Sequence, residues 1–77
     1  MSVEKKMGEI FSEVFGVEHY SDELTRESIE EWDSFAQITL ILRIEKAFGI
    51  SIKTSEALEL ISAKKIREYL LTRGIRD

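Results

Sequence analysis

The residues best placed to do chemistry are Asp33-Ser34-Phe35. Ser34 stands where an acidic, loop-like stretch stops and a long apolar run begins. From Val17 to Asp33 there are seven acids (Glu18, Asp22, Glu23, Glu27, Glu30, Glu31, Asp33) against one base, Arg26, whereas Ser34 to Leu42 carries no charge. A serine at such a junction is a helix cap, a hydroxyl presented for chemistry, or both. Ser34-Phe35-Ala36-Gln37 fits the capping box, in which serine is followed three residues later by glutamine, a device worth about 0.5–2 kcal/mol. As an attachment point, the same hydroxyl would gain from the unpaired N–H groups and positive dipole end of a helix start, which favour a phosphate ester. A nucleophile in an enzyme needs more, namely a base within reach and a third group to orient it. His19 is the only histidine and lies in the loop, so Ser34 reads as an unactivated alcohol. The chain is expected to be a substrate of chemistry and not a catalyst.

Metal chemistry has little to work with. The carboxylates from Asp22 to Asp33 do not alternate as a calcium loop requires, and no central glycine makes the turn. There is no cysteine, which excludes disulfides and thiolate metal sites.

The scaffold is small. Seventy-seven residues, 43% hydrophobic and 34% charged, make one soluble domain over residues 1–77. Such a chain buries about 60–65% of the surface it exposes when unfolded, enough for one core and too little for a deep active-site cavity as well. The net charge of −4 divides into −1 over residues 1–16, −6 over 17–33, none over 34–41 and +3 over 42–77. The acidic belt beside Ser34 would repel a phosphate backbone, so no nucleic-acid partner is expected. Met1 to Phe15 carries charges throughout and lacks the apolar run expected of a signal peptide, and no stretch approaches ~18 uncharged apolar residues. The expectation is a cytoplasmic monomer that does not insert into membranes.

The elements that must position Ser34 follow from periodicity. Val3, Met7, Ile10, Phe11, Val14 and Phe15 form one helical stripe, with Ser2 able to cap its start and Gly16 its end. Residues 17–33 have no sustained period; Leu24, Ile29 and Trp32, with Tyr20, read as anchors pinning a long loop to the core. A second helix is predicted from Ser34 to Phe48, ended by Gly49. It is apolar nearly all round, as a helix is when it is central or has a partner waiting on its exposed side. Ile50-Ser51-Ile52 reads as an extended link, followed by a short helix around Ser55 to Leu60. Ser62 caps a last helix ended by Gly74, with Ile61 and Ile66 at the spacing of a hydrophobic staple and Ala63, Ile66, Tyr69, Leu70 and Arg73 on one face. The predicted fold is all-α, a small bundle of three long helices and one short helix with a long loop between helices one and two.

With these features assembled, the chain resembles the acyl and peptidyl carrier proteins. Members of that family are four-helix domains whose second helix opens with Asp-Ser-Leu, the serine bearing 4′-phosphopantetheine. The likeness runs from the stripe of helix one through Trp32-Asp33-Ser34-Phe35 to Ile44-Glu45-Lys46-Ala47-Phe48-Gly49-Ile50 and Ile66-Arg67-Glu68-Tyr69-Leu70, nearly the whole chain. It implies that a phosphopantetheinyl transferase esterifies Ser34 from coenzyme A, with Asp33 assisting recognition by that enzyme. The thiol of the arm would hold acyl or aminoacyl groups as thioesters, presented to a loading enzyme and to downstream pathway enzymes.

Departures from the family pattern bear on the cargo. Glu31-Trp32 replaces a glycine-containing turn, and Phe35 stands for leucine. Ala36, Thr39 and Lys46 stand where acids are common, and Lys53 where proline is common; the double-glycine, histidine-bearing motif of many peptidyl carriers is missing. The partner-binding face of helix two, represented by Phe35, Ala36, Thr39 and Arg43, is almost neutral, with Arg43 and Lys46 adding positive charge. An enzyme that reads a strip of carboxylates by long-range steering should bind it poorly. The likeness is therefore to stand-alone specialised carriers with Trp-Asp-Ser and not to the housekeeping fatty-acid carrier. Ile44, Ile52, Ala57, Leu60 and Ile66 match the wall of the acyl pocket found in some carriers; four of the five are bulky, which predicts a small or absent pocket. The alternative reading is a non-catalytic helical interaction module that uses the apolar surface of helix two and never carries an arm.

Overall fold

The computed structural model describes residues 3–75, and the proposed Ser2 cap lies outside them. Four helices follow one another: α1 (Val3–Phe15), α2 (Ser34–Phe48), α3 (Thr54–Ala57) and α4 (Ala63–Thr72). Among the described residues there is no strand, only one isolated antiparallel bridge between Thr25 and Ser62. Among the described residues no helix is long and apolar enough to cross a membrane. The bundle has a radius of gyration of 11.2 Å.

The stripe of α1 does what its period requires. Val3, Met7, Ile10, Phe11 and Phe15 are buried, and Val14 packs at the edge of the core. α1 lies mainly against α2, which contributes Leu40, Ile41 and Ile44, while α4 contributes Ala63, Ile66 and Leu70. Lys6 Nζ on α1 donates to Ala47 O at 3.1 Å and sits over the Phe48 ring, satisfying an end carbonyl of α2. Gly49 follows with φ 65°, and its N–H returns to Glu45 O. A side chain there would be strained by the left-handed backbone.

The loop from residue 16 to 33 is pinned by the predicted anchors. Trp32 is 2% exposed and Ile29 is buried, whereas Leu24 and Tyr20 are half-buried against the core. Trp32 stacks at 5.0 Å from Phe15 and meets Phe11 edge-on at 5.6 Å, aromatic pairings worth about 0.5–1.5 kcal/mol beyond their area. The middle of the loop is tied to the start of α4. Arg26 N donates to Ile61 O (2.9 Å) and Ala63 N to Leu24 O (2.8 Å), while Arg67 pairs with Asp22 at 2.9 Å.

α3 is shorter than expected. Its helical bonds run from Ala57 N to Lys53 O and from Leu58 N to Thr54 O, and then tighten to Glu59 N–Glu56 O and Leu60 N–Ala57 O. The tightened turn drives Leu60 into the core. Ser62 caps α4 as predicted, its side chain accepting from Lys65 N at 3.1 Å. Tyr69 O–H donates to Glu56 (3.0 Å), and Arg73 Nη1 donates to both Tyr69 Oη and Ser51 O. These bonds lash α3 and the preceding link to α4.

One anchor is imperfectly solvated. The Tyr20 hydroxyl is buried and finds no hydrogen-bond partner among the described residues. Burial, reinforced by Asp22, pushes its pKa up to about 12. A group whose folded pKa is raised keeps its contribution below the unfolded value near 10.0 and loses it as pH climbs through about 12. Tyr20→Phe is therefore expected to match or exceed the wild type in stability at pH 7, since it removes an orphaned hydroxyl. It should also flatten the fall in melting temperature above pH 10; an equally steep fall would show that Tyr20 is not its source.

Candidate functional site

The end of the loop and the first turn of α2 are set by Trp32. Its ring is locked between α1 and α2, and its Nε1 donates to Gln37 Oε1 one turn into α2. The next residue, Asp33, is extended (φ −97°, ψ −172°), and its Oδ1 accepts from Ala36 N at 2.8 Å. Asp33 O accepts from Gln37 N. Asp33 is thus the N-cap, which corrects the capping box read on Ser34. Aspartate is as good a cap as serine, and the chain turns helical one residue after it. The supposed box partner, Gln37, is 6% exposed. It faces inward and donates from Nε2 to Ala57 O (2.7 Å) and Leu60 O (3.1 Å). One amide thereby joins the loop, α2 and α3.

Relieved of capping, Ser34 is the first helical residue and is exposed. Its Oγ accepts a hydrogen bond from Arg26 Nη2 at 3.3 Å, and Arg26 Nε donates to Trp32 O at 3.2 Å. Arg26 is not among the site residues that the sequence suggests. The signal that pointed to it was its standing as the only base among seven acids. A guanidinium has donors alone and does not deprotonate, so the side chain bonded to Ser34 cannot serve as its general base. His19 is exposed and lines an open depression with Lys5, Glu9 and Tyr20 on the α1 side.

The outer face of α2 carries a run of exposed apolar side chains. Phe35 (78% exposed), Ile38 (62%) and Leu42 (59%) project outward together, joined by Leu58 (69%) from the end of α3. Residues i, i+3 and i+7 share a face, so Ile38 and Leu42 were legible from the wheel beside Phe35. Thr39 lies within this face, its hydroxyl bonded back to Phe35 O. Ala36 is half-buried at the margin. Arg43 is turned toward α1, where it pairs with Glu13 at 2.7 Å; its charge is shared with that acid instead of colouring the outer face. Between α2 and α3 runs a groove of about 250 Å³ that includes Ile38, Ile41, Leu42, Ile52, Ala57 and Leu58. Of the expected pocket wall, only Ile52 and Ala57 line it; Ile44, Leu60 and Ile66 are core residues.

Comparison of the chain with family models, curated proteins and solved structures finds no match.

Proposed function

We propose that the chain is a stand-alone carrier that takes a 4′-phosphopantetheine arm on Ser34. The observation that carries this reading is an exposed serine hydroxyl at the first residue of α2, uncommitted to the cap because Asp33 performs that task. In loading, a lone pair on Ser34 Oγ forms the new O–P bond at the pantetheine-side phosphorus of coenzyme A. The P–O bond to 3′,5′-adenosine bisphosphate breaks, the bisphosphate leaves with the electron pair, and the hydroxyl proton passes to the transferase. Once attached, the arm supplies a thiol that holds acyl or aminoacyl groups as thioesters. The chain's own residues do the rest. Trp32 fixes the position of the first turn, Asp33 holds that turn helical, and Phe35, Ile38, Thr39 and Leu42 offer the surface beside the arm. Tethering makes delivery intramolecular once a partner docks, so weak docking suffices. The four-helix order with a long first loop agrees with the carrier resemblance.

The reading is tested by intact mass after incubation with coenzyme A, magnesium and a broad-specificity phosphopantetheinyl transferase. A gain of one phosphopantetheine is expected. No gain with several transferases would favour the alternative, an interaction module, for which the apolar stripe of Phe35, Ile38, Leu42 and Leu58 is the specific support.

Docking by packing also predicts a sign. Thr39→Glu puts a carboxylate inside the apolar stripe at a half-buried helix position, where the fold should tolerate it at a cost of about 1 kcal/mol. Transfer of cargo by the cognate loading enzyme is expected to fall, and Ala36→Glu should act in the same direction. Unchanged transfer to both variants would count against recognition through this face.

A further inference from the structure

Arg26 behaves unlike an ordinary surface base. All seven acids of residues 17–33 lie within eight positions of it in sequence, yet among the described residues it makes no ion pair; the two pairs formed there are Arg43–Glu13 and Arg67–Asp22. Its position is nonetheless determined at two points. The backbone N–H is bonded to Ile61 O at 2.9 Å, and Nε is bonded to Trp32 O at 3.2 Å. What remains, the Nη edge, is turned to the Ser34 hydroxyl at 3.3 Å. That is long for a bond from a cation, since charge-assisted N–H···O bonds run at about 2.7–2.9 Å. A neutral hydroxyl is a poor match for a guanidinium, whose fork suits the oxygens of a carboxylate or phosphate.

We infer that Arg26 holds the phosphate that is joined to Ser34. This rests on the carrier reading and adds a specificity-determining residue to it. The non-bridging oxygens of a phosphodiester on Ser34 lie two bonds beyond the Oγ that Nη2 already touches, so a guanidinium held at Nε meets them with a small shift of its Nη edge. The need for a cation is electrostatic. The stretch 17–33 carries a net −6, and a further negative charge beside Asp33 is unfavourable unless something opposes it. Arg26 is the only base in that stretch, and its side chain is the one bonded to the serine.

The test separates this role from the carrier reading by making the diester chemically. A chain of 77 residues is within reach of peptide ligation, so Ser34 can be built carrying a methyl phosphodiester in the wild type, in Arg26→Gln and in Arg26→Lys. In the wild type, the ³¹P resonance should move with added salt, and the diester should shift the melting temperature little. In Arg26→Gln, the resonance should lose that salt response and the diester should lower the melting temperature; Arg26→Lys, which keeps the charge, should recover part of both. Comparing each variant with and without the diester cancels any purely structural cost of losing the bond to Trp32 O. With the unmodified chains, transferase kcat/KM should fall about three- to tenfold in Arg26→Gln, the loss of one solvent-exposed charge-assisted contact. Identical responses to the diester in the wild type and Arg26→Gln would overturn the inference. An Arg26-dependent response in a wild-type chain that no transferase loads would uphold the phosphate contact and overturn the carrier reading alone.

Discussion

Ser34→Ala is expected to stay at its unmodified mass under conditions that load the wild type completely, while unfolding at nearly the same temperature. The first half follows from chemistry, because no other hydroxyl stands at the first turn of α2 beside the Arg26 guanidinium. The second half follows from the cap. Asp33 Oδ1, not Ser34 Oγ, accepts the first-turn N–H of Ala36, and alanine is the best helix former for an exposed first-turn position. The change in stability should therefore lie within about 0.5 kcal/mol. Asp33→Ala gives the complementary result. It removes the cap at a cost of about 0.5–2 kcal/mol and, if Asp33 is also read by the transferase, slows loading beyond what partial unfolding explains. Had Ser34 been the cap, Ser34→Ala would be the destabilised variant and Asp33→Ala the mild one. Urea titrations of the two variants decide between these orders, and modification of Ser34→Ala at another residue would remove Ser34 from the mechanism.

The largest loss of stability is expected at Gln37. Its amide is buried and links Trp32 Nε1, Ala57 O and Leu60 O. Gln37→Leu keeps most of the volume but strands the indole N–H and the Leu60 carbonyl; Ala57 O keeps its bond from Leu60 N. Each stranded buried group costs about 1–3 kcal/mol, so a loss of about 2–6 kcal/mol is expected. For a chain this size the total stability is of order 4–10 kcal/mol, so the variant should be partly unfolded at 37 °C. Gln37→Glu makes a sharper test because the shape is almost unchanged. A carboxylate can accept from Trp32 but faces two carbonyl oxygens without a proton to offer. Its folded pKa must then lie above the unfolded value of about 4.3, so the deficit relative to wild type should be small near pH 4 and grow as pH rises toward 7. Denaturant midpoints of both chains at the two pH values measure it; a pH-independent deficit would show that the amide's donors are not what the site requires.

Much of the architecture was legible because helices are local objects. The stripe from Val3 to Phe15, the uncharged run from Ser34 and the glycines at 16, 49 and 74 report backbone conformation within a few residues of themselves, and all three glycines take positive φ. The exposed side of α2 was legible for the same reason, since a helix apolar all round in so small a bundle must leave part of that surface in solvent. α3 was harder to delimit because a four-residue helix has almost no period to read.

Contacts between residues distant in sequence were beyond such reading. Ser34 and Gln37 match a capping box at the level of residue types, but Asp33 matches a cap equally well. The choice was made by Trp32, whose burial between Phe11 and Phe15 determines where the loop ends and draws Gln37 inward to meet the indole. Arg43 looked like a charge on the outer face until α1 brought Glu13 to it. Arg26 was a lone base in an acidic stretch until residues 24–26 were tied to the start of α4 and its guanidinium was turned to Ser34. Periodicity and local caps depend on neighbours one helical turn away, and the chain encodes them directly; which polar group meets which across the bundle depends on how the apolar faces close, and only the packed structure decides that.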